Sequence, residues 1–187
     1  MVSPGGIYMN NNTDPSLSPS NPGENLRASR ETLEGHLNIL LEELSQQEDS
    51  RFSRVRSRRD SYTEHVEIVM YRHTNGFGRL FGGALLQMID TVGAICARRH
   101  AGTEVTTVAI DNLSFKAPAQ LNSTILLTAE IEHVGRTSML VKVTTYVEEL
   151  DGARQEINVA HLTFVAIDRF NRKTPVPRLA EQEETKG

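Results

Sequence analysis

GGALLQMIDTVGAICA, residues 82–97, is the stretch of sequence that decides the fold. It contains no proline, and small or apolar side chains occupy nearly every face of a helix built from it, which predicts one long buried helix. The larger of these side chains are Leu85, Met88, Ile89, Val92, Ile95 and Cys96. Asp90 lies in their midst, where an ionised carboxylate is costly unless it is paired. Asp90 is therefore either a structural acid bound to backbone or to an arginine, or a functional group.

TNGFGRLFGG, residues 74–83, leads into this helix. Its four glycines let a ligand approach the backbone, and the start of the helix presents unpaired N–H groups and a partial positive charge. Asn75 adds an amide that can donate or accept a hydrogen bond. Oxyanion donors at the helix start and Asp90 two turns further on predict a hydrolytic site without a metal or a nucleophilic serine. On their own, the glycines would indicate only a tight turn and close helix packing.

Alternation of apolar and polar residues predicts that the remainder of this region is a β-sheet. Turn residues separate neighbouring segments at Gly135–Arg136 and at Asp151–Gly152, as antiparallel connections require. One apolar helix followed by antiparallel strands indicates the α+β class, with the sheet wrapped around the helix. The predicted strands are residues 65–70, 105–115, 123–134, 138–149 and 157–168.

Composition is that of an ordinary globular domain. The 187 residues are 38% hydrophobic with a formal charge of -4, which suits one domain of typical size. We expect a cytoplasmic protein without a membrane span, because no apolar run is long enough to cross a bilayer and no leader pattern opens the chain. The single cysteine, Cys96, is predicted to be a packing residue. The six histidines lack ligand spacing, so we expect no metal and no cofactor.

The region before the domain divides into two parts. Residues 1–28 are rich in proline, serine and asparagine, and this composition predicts a disordered tail. Residues 29–60 are predicted to form an amphipathic helix from Ser29 to about Gln47 and then an arginine-rich linker. The five arginines of residues 51–59 could contact nucleic acid or phosphate, but a solvated linker is favoured because Phe52 is the only aromatic residue among them. No nucleic-acid partner is expected.

Residues 61–178 resemble the hotdog-fold acyl-CoA thioesterases, also called acyl-CoA hydrolases. The resemblance recurs in separate blocks and in order, and a charged tail, residues 179–187, follows it. The matching blocks are TNGFGRLFGG, Asp90, residues 105–111, Phe115, Pro118, residues 135–139, residues 164–168 and residues 175–177.

The resemblance implies a hotdog fold and hydrolysis of acyl-CoA. Asn75 and Asp90 fall on the two catalytic positions of the family, and Gly83 falls on the amide that polarises the thioester carbonyl. Asp90 is then the general base, or alternatively a nucleophile, and Asn75 orients the water or the carbonyl. A homodimer, or a trimer of such dimers, is the implied assembly. The chain departs from the family at two places. Family members often have an acidic residue where Arg79 stands, and a Gly-Asp pair is common at the position of residues 122–123.

Gly135, Arg136, Thr137 and Ser138 are the candidate coenzyme A site. The glycine allows close approach of the backbone, Arg136 can bind a phosphate with its guanidinium fork, and the two hydroxyls can donate hydrogen bonds. Without the resemblance, a β-turn with an exposed arginine would be the simpler interpretation. Arg79 and Lys116 are weaker candidates on charge alone.

An acyl-CoA-sensing regulator is the alternative function, in which the fold binds the ligand without hydrolysing it and an N-terminal segment binds DNA. The arginine run and the predicted helix 29–47 favour it. A helix-turn-helix unit needs two or three helices, however, and this extension offers one. A hydratase or dehydratase would be expected to place a histidine beside the acid, which the Asp90 helix lacks. The presence of Asn75 and Asp90 favours hydrolysis.

Overall fold

A computed structural model describes residues 22–180 of the chain. The chain divides at Leu44 into two units, and every β-strand of the described residues belongs to the second. A short 3-10 turn, Tyr71–His73, precedes the main helix. The helices and strands are α1 Pro22–Ser53, β1 Val55–Arg56, α2 Arg58–Ser61, β2 Thr63–Ile68, α3 Gly82–Ala101, β3 Glu104–Phe115, β4 Thr124–Val134, β5 Ser138–Glu148, β6 Arg154–Ile167 and β7 Arg178–Leu179.

Five strands form one antiparallel sheet in the order β2-β4-β5-β6-β3, and α3 packs against it. Burial of apolar side chains between α3 and the sheet stabilises this arrangement by about 1.5–3 kcal/mol for each large side chain. Gly93 permits the close approach, because a Cβ atom there would lie 3.2 Å from the Phe164 ring. The largest buried apolar side chains are Phe164, Ile89, Ile125, Leu126, Leu127, Ile131, Met139, Ile157 and Leu162. The predicted α+β class and the sheet wrapped around one helix are confirmed.

Helix α3 begins and ends where its sequence allows. Phe81, in an extended conformation, precedes it without a side-chain cap, and Gly102 ends it in the left-handed region at a φ of 67°. The Gly102 N–H donates to the Arg98 carbonyl at 2.9 Å, as a helix C-terminal glycine commonly does. The helix is less enclosed than its composition predicts, because Ile95 on its outer face is exposed.

The strands lie close to their predicted positions. The first, Thr63–Ile68, begins before residue 65 and ends before residue 70, and β6 begins at Arg154 rather than at residue 157. Both predicted turns connect neighbouring strands of the sheet, β4 to β5 and β5 to β6. Gly152 adopts a φ of 85°, a conformation in which glycine has no steric penalty.

The N-terminal helix is longer than the sequence predicts. It begins at Pro22 rather than at Ser29 and ends at Ser53 rather than at Gln47. Residues 22–28 of the predicted disordered tail therefore belong to α1, and the remainder of that prediction lies outside the described residues. The predicted charged tail lies outside them from residue 181 onward, while Leu179 pairs with Arg56 in a small parallel sheet of β1 and β7.

Two arginines of the arginine-rich segment bind the domain, although its composition predicts a solvated linker. Arg56 donates to the Arg99 carbonyl at the end of α3, and Arg58 donates to the carbonyls of Ile131 and Glu132. These guanidinium groups satisfy backbone acceptors, so this part of the run fastens β1 and α2 to the domain. The domain consequently begins before residue 61.

Among residues 22–180, no helix has the length and apolar character needed to cross a membrane.

Candidate active site

Asp90 lies on the side of α3 that faces β3, and Thr107 is its partner. The Thr107 hydroxyl donates a 2.7 Å hydrogen bond to Asp90 Oδ1. Thr107 faces the helix because alternate side chains of β3, at Val105, Thr107 and Ala109, are turned inward. Asp90 itself is half-buried rather than fully desolvated. Asp90 Oδ2 has no hydrogen-bond partner among residues 22–180, which leaves one carboxylate oxygen for a ligand or a water.

Sequence reasoning did not single out Thr107. The signal that could have found it is a lone hydroxyl at an inward position of a strand whose other inward residues are apolar. A buried hydroxyl requires a polar partner. In this fold that partner is the carboxylate on the facing helix.

Asn75 organises the loop before α3. Its Oδ1 accepts hydrogen bonds from the backbone N–H groups of Phe77 and Arg79, at 2.9 and 3.3 Å. The Asn75 N–H donates to the Arg79 carbonyl at 2.8 Å, and Gly78 turns the chain at a φ of 71°. Because the amide oxygen is used within the loop, the Asn75 Nδ2 group is the part of this side chain left to donate to a substrate.

Gly83 lies in the first turn of α3, where backbone N–H groups have no partner within the helix. A Cβ atom at this position would lie 2.5 Å from the Phe81 ring, which is too close for any side chain without movement of that ring. The Phe81 ring therefore packs directly on the backbone of Gly83. The N-terminus of α3 offers donors and a partial positive charge to an oxyanion.

A cavity of about 340 Å³ connects the Asn75 loop with the end of β3. Asn75, Arg79 and Gly82 line one side of it, and Phe115 and Lys116 line the other. Asp90 does not line this cavity, and its Cα lies about 10 Å along the helix from that of Gly83. Within one chain the structure brings Asn75 to the start of α3 but does not bring it to Asp90.

The predicted coenzyme A residues form the tight turn between β4 and β5. The Gly135 N–H donates to the Ser138 carbonyl at 2.8 Å, and a Cβ atom on Gly135 would lie 2.8 Å from Ser138 Oγ, so a side chain there would require the Ser138 hydroxyl to move. The carbonyls of Arg136 and Thr137 accept from Val176 and Ala166, at 3.0 and 2.9 Å. The backbone of the turn is thus held on both sides.

Strand register sets the height of this turn in the sheet. Ser138 pairs with Val165, and Val165 pairs with Thr106, the neighbour of Thr107. The turn therefore lies level with Thr107, the hydrogen-bond partner of Asp90. It is two strands away from Thr107, a distance of about 10 Å. The Arg136 guanidinium lies 5.8 Å from the centre of the Phe52 ring.

The two departures from the family have different surroundings. Arg79 lies in the wall of the cavity, next to Asn75. Asn122 lies in the turn before β4 at a φ of 67°, which asparagine tolerates, and Ser123 Oγ accepts from the Gln120 N–H at 3.1 Å. The second departure therefore concerns only the turn. The Lys116 ammonium pairs with Glu156.

Two histidines near the site are buried. The Nε2 atom of His73 lies 3.4 Å from Glu67 Oε1. His100, in the last turn of α3, is fully buried and its Nε2 donates to the Pro177 carbonyl at 2.9 Å. Burial lowers the pKa of His100, which favours the neutral ring. The described residues contain no cluster of three or more His, Cys, Asp or Glu side chains that could hold a metal.

Cys96 is fully buried in the core, as predicted for a packing residue. Burial raises the pKa of its thiol to about 12, so the thiolate is not populated near neutral pH.

Comparison with known proteins identifies relatives of this chain. Residues 77–152 match the model of the thioesterase superfamily. An uncharacterised acyl-CoA thioester hydrolase of Zymomonas mobilis is 40% identical over 119 residues, which are 61% of this chain and 77% of that protein. Its counterpart YkhA of Bacillus subtilis is 36% identical over 112 residues, with coverages of 59% and 65%.

Solved structures give the same result. The acyl-CoA hydrolase of Staphylococcus aureus, in complex with butyryl coenzyme A and coenzyme A, is 27% identical with a TM-score of 0.67, covering 70% of this chain and 80% of that one. A hexameric acyl-CoA thioesterase is 34% identical with the same TM-score, covering 70% and 85%. The Staphylococcus aureus structures include alanine variants of an asparagine, an aspartate and a threonine, and these three positions have the same spacing as Asn75, Asp90 and Thr107.

The hotdog fold is thereby confirmed, and the chain belongs to the acyl-CoA thioesterase family of the thioesterase superfamily.

Proposed function

We propose that the protein hydrolyses the thioester bond of acyl-CoA to a carboxylic acid and coenzyme A, with Asp90 as the general base. The observation that carries this assignment is the Asp90 carboxylate, which Thr107 holds by one oxygen while the other faces no protein donor in the described residues. A carboxylate held in this way can accept a proton from a water in a defined direction. The spacing shared with the substituted positions of the Staphylococcus aureus enzyme supports the choice of residues.

The reaction follows from the positions of these groups. Asp90 removes a proton from a water, and the oxygen of that water attacks the thioester carbon. The carbonyl oxygen becomes an oxyanion that accepts from the Gly83 N–H, and one such donor is typically worth a factor of about a hundred to a thousand in rate. The tetrahedral intermediate then expels the coenzyme A thiolate, which takes up the proton from Asp90. The Nδ2 group of Asn75 orients the water or the carbonyl.

The turn of residues 135–138 binds the nucleotide end of coenzyme A in this proposal. Arg136 supplies a delocalised positive charge for a phosphate, and Thr137 and Ser138 supply hydroxyl donors. The hydrogen bonds from Val176 and Ala166 to the turn keep its backbone in place. Preorganisation of this kind lowers the entropic cost of binding.

The complete site is built by two subunits. In one chain Asn75 and Asp90 share no hydrogen bond among the described residues, and Asp90 does not line the cavity at the Asn75 loop. Strand β3 is an edge strand with four exposed apolar side chains, which association would cover: Val108, Ile110, Leu113 and Phe115. Antiparallel pairing of two such edges brings the Phe115 end of one strand, and the Asn75 loop beside it, toward Thr107 and Asp90 of the other. The hexameric assembly of relatives supports association of this kind.

Substitution of Asp90→Asn tests the chemical step. Asparagine has nearly the same shape but cannot act as a base, so turnover of acyl-CoA should fall by about a hundredfold or more. The melting temperature and coenzyme A binding should stay unchanged. The control is Asp151→Asn in the exposed β5–β6 turn, which should keep full activity. Full activity of a folded Asp90→Asn protein would refute the assignment, and a wild-type protein that binds acyl-CoA without hydrolysing it would establish the sensing alternative.

A further inference from the structure

Helix α1 carries a row of five leucines that the catalytic proposal does not use. The leucine seam consists of Leu26, Leu33, Leu37, Leu40 and Leu44. Between Leu33 and Leu44 the steps are four, three and four residues, the alternation that keeps side chains on one line of a supercoiled helix. All five side chains are between 43% and 73% exposed. A leucine row with this period, on a helix of 32 residues, is typical of a helix that packs along its length against another helix.

We infer that the leucine seam pairs with the seam of a second copy of this chain as an antiparallel coiled coil. The inner four leucines are symmetric about the midpoint between Leu37 and Leu40. A two-fold axis there places Leu37 opposite the partner subunit's Leu40, and Leu33 opposite the partner subunit's Leu44. Every contact then occurs twice, as a self-complementary interface requires.

The charges beside the seam select the antiparallel direction. In a parallel pair, Arg30 occupies a core position of the heptad and lies against the partner's Arg30, which places two like charges in contact. The antiparallel pair separates these arginines. It also places His36 beside the partner's Glu43, where an imidazole and a carboxylate can form a hydrogen bond. Leu41 extends the apolar contact on the other flank.

The opposite side of α1 has the character of a solvent face. Its residues include Glu31, Asn38, Glu42 and Gln46, and all of these are exposed. Ile39 is the apolar exception. Gly35, which lowers intrinsic helix stability, also lies on this side. Formation of the helix therefore depends more strongly on packing of the leucine seam against a partner.

Disulfide cross-linking in the full-length protein tests both the partner and the direction. One chain carries Leu33→Cys, and a second chain, distinguished by a tag, carries Leu44→Cys. Antiparallel pairing places these two residues side by side, whereas two copies of residue 33 would lie about 16 Å apart along the axis. Co-refolded chains should therefore give a cross-linked heterodimer on mild oxidation, and each chain oxidised alone should give none.

A matched pair controls for chance collision. Glu31→Cys and Gln46→Cys lie at corresponding heights but face outward, so their mixture should remain uncross-linked. Cys96 is buried in every variant and contributes no background. Thioesterase activity of each chain reports that the second unit is folded.

The remaining outcomes overturn the proposal. Cross-links formed by each single-cysteine chain with itself would show a parallel arrangement. Absence of any cross-link in active protein would show that the seam docks elsewhere, for example on the domain of its own chain. Equal cross-linking of the outward pair would show only random contact. Because activity is measured separately, failure of this inference leaves the catalytic assignment untouched.

Discussion

The side chain of Thr107 orients Asp90. Under the catalytic proposal, activity should therefore be most sensitive to a small change at Thr107. Thr107→Val keeps the shape of the side chain but removes the hydroxyl that donates to Asp90 Oδ1. A hydrogen bond to a charged group is worth about 1.5–3 kcal/mol, so kcat should fall about tenfold or more while KM changes little.

Thr106→Val is the matched control for this change, because its side chain lies on the opposite, exposed face of β3. It should leave both constants unchanged. Thr107→Ser keeps a hydroxyl and should restore most of the activity. A Thr107→Val protein that loses thermal stability but keeps its kcat would show that the hydroxyl only supports the fold.

His100 predicts a pH dependence of stability. Its pKa is lowered in the folded protein, chiefly by burial, below the ordinary value of 6.5. The unfolded chain therefore binds the proton more readily, so the contribution of His100 to stability is present above about pH 6.5 and is lost as the pH falls below it. When the pH is lowered from about 8 to about 5.5 at constant ionic strength, the melting temperature of the wild type should fall more than that of His100→Gln. Glutamine can still donate to the Pro177 carbonyl, and equal falls would contradict the prediction.

At the scale of the elements, we expect a substitution in the β4–β5 turn to affect coenzyme A binding and not the chemical step. Arg136→Ala should weaken binding of acyl-CoA about tenfold, because it removes a charged hydrogen-bond donor to a phosphate. Hydrolysis of a short pantetheine thioester, which lacks the nucleotide phosphates, should change much less. Arg154→Ala, at the start of β6 beside the other hairpin turn, breaks the surface pair with Glu148 and should affect neither substrate. Equal losses on both substrates would make Arg136 a structural residue.

The elements of the domain could be predicted where one pattern dominates. The alternation of Ile125, Leu127 and Ala129 and the Gly135 turn predict β4 and its connection, because local periodicity alone determines which face is buried. The apolar run before Gly102 likewise predicts α3. The family resemblance then predicts Asn75, Gly83 and the turn of residues 135–138 as site residues, and these assignments still await the substitutions described above.

The remaining features depend on contacts that no local pattern encodes. Arg58 resembles a linker residue in sequence, but it binds carbonyls of β4, which lies more than seventy residues further along the chain. The role of Thr107 depends on its hydrogen bond to Asp90, which lies on the facing helix α3. His100 resembles a helix-ending cation until the segment around Pro177 covers it. In each case the partner is distant in sequence, so the local sequence pattern does not predict the contact.

At the scale of the whole molecule, the proposed shared site would explain both the exposed edge of β3 and the separation of Asn75 from Asp90. An edge strand with exposed apolar side chains invites association, and an active site whose parts lie apart in one chain requires it. Both requirements are met when two chains join along β3. A folded monomer should then bind coenzyme A at the β4–β5 turn but hydrolyse nothing.

Complementation between two inactive chains tests this shared site. Asn75→Ala and Asp90→Asn are each expected to abolish turnover when refolded alone. If equal amounts are unfolded and refolded together, about half of the dimers should be mixed, and each mixed dimer holds one site with Asn75 from one chain and Asp90 from the other. Roughly a quarter of the wild-type activity should return when subunits mix at random. Tagging the two chains measures the mixed fraction directly. Mixed dimers without activity would mean that both residues act within one chain, and the cavity at the Asn75 loop would then have to close toward Asp90 of the same subunit when substrate binds.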